Sequence, residues 1–228
     1  MKYSNGFWFP DSETHFIQYL TDVNPEYQYK PKECLDVLVT DWTCVLDIGS
    51  HVGTWATWFA KRSNNIHCFE PIEENYECLV KNTENLIGCT LYNRAVSDEA
   101  KIIPMWKPPV AKNSGTFSSV PVEGWSQTDI QAITIDSLGL NPTVMKLDIQ
   151  GGEDSALEGA RETIARSKPI ICCEENHEDA DNRLRIQSLM ESMGYVKVHK
   201  FKEDAFWLHE SKKLTEDQRS RLPIKKKP

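Results

Sequence analysis

The chain has 228 residues, 39% of them hydrophobic, and 26 Lys and Arg against 34 Asp and Glu, a formal net charge of -8. That length can bury one sizeable core, and the acidic balance argues against nucleic acid as a partner, because backbone phosphates are bound by Lys and Arg. No apolar run reaches the roughly 20 residues of a membrane span and no leader pattern opens the chain, so the expected setting is cytoplasmic, without a membrane span.

The seven cysteines are odd in number. Cys44, Cys68, Cys172 and Cys173 fall within apolar strand patterns, which suits small core residues in a reducing compartment better than a disulfide framework. Residues 1–31 form an aromatic arm, in which Ser12 to Leu20 has the pattern of a short helix capped by Ser12. The arm either packs its rings on the main domain or brings Trp8 and His15 to an acceptor pocket. Residues 32–210 read as one domain, with 104–125 as a lid or insertion, and 211–228 as a C-terminal tail with a frayed lysine-rich end.

Leu35, Leu38 and Val39 mark a helix leading into the strand Cys44 to Ile48. That strand runs through Asp47, Gly49, Ser50, His51 and Gly53 into a helix opening near Thr54. A strand, a glycine turn and a helix start make an anion-friendly corner, since glycine admits close approach and the first N–H groups carry partial positive charge. The spacing is not the G-x-G-x-x-G of dinucleotide binders. It suits a ligand with a carboxylate and an ammonium, such as the methionine end of S-adenosylmethionine. The next strand, Ile66 to Glu70, ends in an acid that can take two ribose hydroxyls.

Pro71 is expected as the first residue of the following helix, with Ile72, Tyr76, Leu79 and Val80 on its stripe. Thr90 to Val96 reads as a third strand, whose exit at Arg94, Ala95 and Val96 is expected beside a base ring. Pro104 to Trp125 is either a hairpin-like lid or an edge extension of the sheet. Ala132 to Ile135 is a short strand ending at Asp136, and Val144 to Ile149 a longer one, leading to a helix with Leu157, Ala160 and Ile164 on one face. Pro169 to Cys173 is a further strand, followed by a helix stopped at Gly194. Val196 to Phe201 and Ala205 to Leu208 close the domain as a hairpin. The alternation predicts an α/β, doubly wound, Rossmann-like sheet, mostly parallel with a C-terminal antiparallel hairpin.

Asp47, Asp148 and Glu174 converge as acidic strand ends, with Glu70 alongside, and such a set calls for a cation or donors to share it. If the methyl acceptor is an alcohol, a base must take its proton, and Asp148, His177 and Glu174 are the candidates. Asp148 could instead cap the turn after its strand, and His177 could be a solvated loop residue. Glu153 is expected as a helix cap. A divalent metal bridging Asp148 and Glu174 is conceivable with oxygen ligands but not demanded, and adjacent Cys172 and Cys173 point to opposite faces, which disfavours a soft-metal site.

Four blocks in this order carry a family resemblance: Val45 to Gly53, Phe69-Glu70-Pro71, Ile133 to Leu138 and Lys146 to Glu153, continued by Leu157 to Ala160. The chain resembles the FkbM family of S-adenosylmethionine-dependent methyltransferases over Thr43 to Glu175. The resemblance implies a class I methyltransferase fold and, usually, O-methylation of a hydroxyl on a sugar or other small metabolite. Many relatives have an acid where Gln150 stands, which weighs against a role for that position in proton transfer or metal binding. The alternatives are a nucleic-acid or protein methyltransferase, an NAD-dependent oxidoreductase, and a non-catalytic S-adenosylmethionine-binding module. The Asp148-Ile149-Gln150-Gly151 strand end and the glycine spacing disfavour base methylation and NAD binding respectively.

Overall fold

The computed structural model describes residues 1–23, 28–109, 113–115, 117, 121–175 and 180–223. A hairpin of β1 (Lys2–Ser4) and β2 (Phe7–Phe9) is followed by α1 (His15–Gln18) and α2 (Tyr29–Leu38). Then come β3 (Val45–Ile48), α3 (Thr54–Phe59), β4 (Ile66–Phe69), α4 (Glu73–Thr83), β5 (Cys89–Tyr92), β6 (Ala95–Val96), β7 (Ile102–Lys107) and β8 (Ser126–Ile133). The second half has β9 (Val144–Leu147), α5 (Glu153–Glu158), α6 (Arg161–Ser167), β10 (Ile170–Glu174), α7 (Ala180–Ser192), β11 (Tyr195–Phe201), β12 (Asp204–His209) and α8 (Glu216–Arg221).

The main sheet has seven strands in the order β11-β12-β10-β9-β3-β4-β5. Its members from β10 to β5 pair in parallel, and β12 and β11 close it antiparallel, as the sequence leads one to expect. From β3 the chain steps outward to β5, and from β9 it steps the other way, so the reversal lies between β3 and β9. Open parallel sheets bind ligands beyond the strand ends at such a reversal.

Every position of β3, β4 and β9 is buried, because helices cover both faces. Val45, Val144 and Cys172 pack with Leu35, Trp55 and Phe59 on one side. Leu46, Met145 and Cys173 pack with Leu157, Ile164 and Ile186 on the other. All seven thiols are unbonded. Among the described residues no helix is long and apolar enough to cross a membrane.

Several elements differ from expectation, each for a local reason. The first helix begins after Thr14 rather than Ser12, because the Glu13 carboxylate takes the Phe16 N–H at 2.7 Å. Pro71 stays outside α4, whose cap residue Ile72 is extended and donates its N–H to Glu70 Oε1 at 3.0 Å. Thr90 to Val96 is not one strand: β6 leaves the main sheet after Asn93 and pairs in parallel with β8. The helix carrying Leu157 and Ile164 breaks into α5 and α6 at Gly159, where a methyl group would overlap the Ser97 carbonyl. Asp136 is no strand end; its carboxylate accepts from the N–H groups of Glu162 (3.0 Å) and Thr163 (2.7 Å) at the start of α6.

The stretch read as a lid or an edge extension is in part strand. β7 pairs antiparallel with β8 from Ile102↔Gln131 to Lys107↔Ser126, making a small three-stranded sheet with β6. Its connection reaches the cavity described below through Asn113, Gly115 and Phe117. At the other end, α8 folds back: Leu214 and Leu222 are buried and Gln218 Nε2 donates to the Val37 carbonyl at 3.1 Å. The lysines at 225–227 lie outside the described residues.

Candidate active site

A cavity of about 630 Å³ opens beyond the carboxyl ends of β3, β4 and β9. Its floor is the turn after β3. Gly49 has φ +83°, and a methyl group there would overlap the Asp148 carbonyl, so a side chain at this position would force the exits of β3 and β9 apart. The N–H groups of Gly49 (3.0 Å) and Ser50 (2.9 Å) both donate to the Phe69 carbonyl, and that of His51 donates to Glu70 Oε2 at 2.9 Å. These three N–H groups of the turn are therefore committed to the protein itself, and α3, which opens at Thr54, is a short helix of six residues. The turn shapes the pocket while side chains supply its polarity.

Glu70 is 5% exposed and lines the cavity. Its carboxylate accepts from the N–H groups of His51 and Ile72, and from Asn75 Nδ2 at 3.4 Å. Burial pushes its pKa up to about 7, against the two N–H groups that favour the charged form. Oε1 takes two of these donors and Oε2 only one, so Oε2 keeps acceptor capacity.

Register places Lys146 of β9 directly beside Asp47 of β3, and Asp148, two residues on, shares their face of the sheet. Lys146 Nζ lies 3.7 Å from Asp47 and 3.3 Å from Asp148, over the Trp55 ring at 5.4 Å. Burial alone would lower the Lys146 pKa, but the carboxylates of Asp148 and Asp47 outweigh it and hold the ammonium charged. Burial pushes the Asp47 carboxyl up, and among the described residues neither of its oxygens has a hydrogen-bond partner. Asp148 lies below its ordinary value: burial opposes the shift, and Lys146 and Gln150 overcome it.

Gln150 Nε2 donates to both Asp148 Oδ1 (3.1 Å) and Glu174 Oε2 (2.8 Å). Burial and the Asp148 charge raise the Glu174 pKa. Among the described residues no group of three or more His, Cys, Asp or Glu is arranged to hold a metal ion. Glu153 orients the preceding turn, accepting from the N–H groups of Ile149 (3.0 Å) and Gly151 (2.9 Å).

Gly49, Ser50, His51 and Thr54 line the cavity, as do Glu70 and Pro71. Arg94, Ala95 and Val96 line it from the other side, and Asp148 does so at the β9 end. Asp47 is fully buried behind Lys146, and Gly53 faces Leu79 of α4. Glu174 meets the site through Gln150, and His177 lies outside the described residues. His15 lines the cavity, whereas Trp8 packs on Tyr3 with centroids 5.3 Å apart. Sequence reasoning missed Lys146, whose signal was a lone cation in an apolar strand, and also Trp55, Asn75, Glu13 and Ser114, which carry no local pattern.

The part of the cavity wall that β7 and β8 supply is apolar. Ile103 and Met105 alternate on β7 and face inward with Ile130, which stands across from Ile103 on β8.

The family model described as the methyltransferase FkbM domain matches residues 47–197. Among solved structures, a methyltransferase FkbM from Methylobacillus flagellatus KT matches with TM-score 0.57 and 17% identity. That match covers 85% of this chain and 54% of the other, so this chain spans about half its length. A precorrin-6y C5,15-methyltransferase from Geobacter metallireducens GS-15 matches with TM-score 0.48 and 10% identity over 89% of this chain and 93% of that one. The magnesium protoporphyrin IX methyltransferase of Synechocystis PCC 6803 matches with TM-score 0.47 and 10% identity over 87% and 86%. Comparison with curated protein sequences gives no match. The fold is that of the class I methyltransferases.

Proposed function

The chain belongs to the FkbM methyltransferase family, and from that premise we propose that it transfers a methyl group from S-adenosylmethionine to a hydroxyl of a sugar or other small metabolite. The observation that carries this reading is Glu70, a buried carboxylate at the second strand end, facing the cavity with acceptor capacity to spare. Two adjacent ribose hydroxyls are the donors such a group takes at this place in an open parallel sheet. Ala95 and Val96 supply an apolar surface for the base, and Gly49 and Ser50 border the place left for the amino-acid end.

When bound, S-adenosylmethionine supplies a methyl group made electrophilic by its sulfonium. The chain's own part is alignment, exclusion of water and handling of the acceptor's proton. Asp148 is the base of this reading: its carboxylate lines the cavity and is kept ionised by Lys146. Gln150 fixes its orientation and links it to Glu174. The Ile103, Met105 and Ile130 wall suits the apolar part of an acceptor whose hydroxyl faces Asp148. A net charge of -8 and acidic strand ends favour a neutral small molecule or glycan over nucleic acid.

Calorimetry with S-adenosylmethionine and S-adenosylhomocysteine tests the cofactor: the native chain should bind both, and Glu70→Ala should lose most of the affinity. Mass-spectrometric screening of sugars and glycolipid extracts for the gain of one methyl group tests the acceptor. Asp148→Asn should then cut kcat by about 10²- to 10⁴-fold while leaving cofactor affinity nearly unchanged. A native chain that binds neither cofactor form would overturn the reading.

A further inference from the structure

Three segments far apart in sequence meet in one buried hydrogen-bond chain beside the cavity. Glu13, from the N-terminal arm, is fully buried. Its Oε2 accepts from the Ser114 N–H at 2.6 Å and the Ser114 hydroxyl at 2.8 Å, and its Oε1 from the Phe16 N–H at 2.7 Å. Ser114, from the connection between β7 and β8, places its Oγ 2.6 Å from His51 Nε2, and its carbonyl accepts from Asn75 Nδ2 at 3.1 Å. Phe16 packs edge-on against the His51 ring, with centroids 5.6 Å apart.

The chemistry of these groups sets the direction of each bond. Glu13 Oε2 is the acceptor of the Ser114 hydroxyl, so the hydroxyl hydrogen is given to Glu13. Ser114 Oγ then meets the imidazole with a lone pair, and His51 Nε2 must carry the hydrogen. His51 is neutral, its pKa lowered by burial to about 4. Nδ1 is therefore bare, and among the described residues it has no partner. The ring lines the cavity at the turn where the N–H groups of Gly49, Ser50 and His51 are already committed. A bare ring nitrogen is an acceptor, so the ligand group it suits is a donor.

We propose that Glu13 and Ser114 are positioning residues that hold His51 in the Nε2–H tautomer, so that Nδ1 accepts a hydrogen bond from the amino group of the cofactor. This rests on the cofactor reading above. Cofactor affinity is then coupled to the seating of two segments outside the parallel core, the arm that carries Glu13 and the connection that carries Ser114. By linkage, a bound cofactor tightens the seating of both.

The test uses the full chain. Nitrogen-15 NMR of labelled histidine, with His51→Asn to assign the signals, should show Nε2 protonated and Nδ1 unprotonated in the unliganded protein, and Nδ1 should shift when S-adenosylhomocysteine binds. A protonated Nδ1 in the native protein overturns the proposal. Calorimetry then compares S-adenosylhomocysteine with its deaminated analogue. The native chain should prefer the amine, and Glu13→Gln and Ser114→Ala should each lose roughly 10- to 100-fold for the amine and much less for the analogue. Ser114→Thr, which keeps the hydroxyl, should restore the preference. Equal losses for both ligands would reveal a merely structural network and overturn the proposal, as would a native chain that binds both ligands equally. A native chain that binds neither overturns the cofactor reading itself, a different result from either. If the variants fail to fold, the native tautomer and the native amine preference decide alone.

Discussion

Lys146→Met removes the ammonium seated between two carboxylates, and its cost can be worked from the geometry. At an effective dielectric constant of about 20, contacts at 3.7 and 3.3 Å are each worth about 4 to 5 kcal/mol of Coulomb energy. Desolvation of the buried ions costs several kcal/mol each, so the intact group adds little net stability. Removing the cation alone is another matter. Asp47 is 0% exposed and among the described residues neither of its oxygens has a hydrogen-bond partner, so its charge would be left uncompensated. The expected loss is about 3 to 5 kcal/mol, and about 2 to 4 °C of melting temperature per kcal/mol for a chain of this size. The pH dependence has a definite sign. Burial already raises the Asp47 pKa above its unfolded value, and the variant raises it further. A carboxyl whose folded pKa is raised binds its proton more readily when folded, so the variant should regain stability as pH falls through that value. Urea unfolding at about pH 7.5 and about pH 5.5 measures both effects. Asp47→Asn combined with Lys146→Met should lose less than Lys146→Met alone, because the uncompensated charge has gone. A single-variant loss below about 1 kcal/mol, or a double variant worse than the single, would refute the reasoning.

Glu70 should make cofactor affinity depend on pH. With its pKa at about 7, the ionised form that accepts ribose hydroxyls dominates above that pH, so calorimetric affinity should fall by up to about tenfold per unit below it, and Glu70→Gln should flatten the profile. Gly49→Ala should cost several kcal/mol or prevent folding, since the methyl group overlaps the Asp148 carbonyl. Gly139→Ala, at φ +63° with open space around it, should cost about 1 kcal/mol by thermal melting. Removal of residues 211–228 should destabilise the core by uncovering Leu214 and Leu222, whose burial is worth about 1.5 to 3 kcal/mol each, and unchanged unfolding would show that α8 is not needed.

The parallel sheet was legible because its strands are short apolar runs ending in acids and glycines, which is what burial on both faces and a ligand edge demand. Lys146 lies within the fourth motif, but its meaning depends on Asp47 standing beside it in the neighbouring strand, and register between strands is not written locally. The partners of the turn's N–H groups are hidden in the sequence for the same reason. Their acceptors, the Phe69 carbonyl and Glu70, belong to another strand. Glu13 and Ser114 are 101 positions apart, and nothing in either segment announces the other.

These failures share a cause that also bears on specificity. Side chains that face the cavity from β3, β4 and β9 are held by sheet register, which tolerates no slip without turning every side chain to the opposite face. Those from the arm and from the β7–β8 connection reach the cavity through side-chain hydrogen bonds, to Asn82 for the Trp8 backbone and to His51 and Asn75 for Ser114. A substitution in the first set disturbs the sheet and the cofactor pocket together. A substitution at Ile103, Met105 or Phe117 changes the cavity wall while leaving the sheet intact. The cavity wall that the small second sheet between β5 and β9 supplies can therefore change without disturbing the parallel sheet.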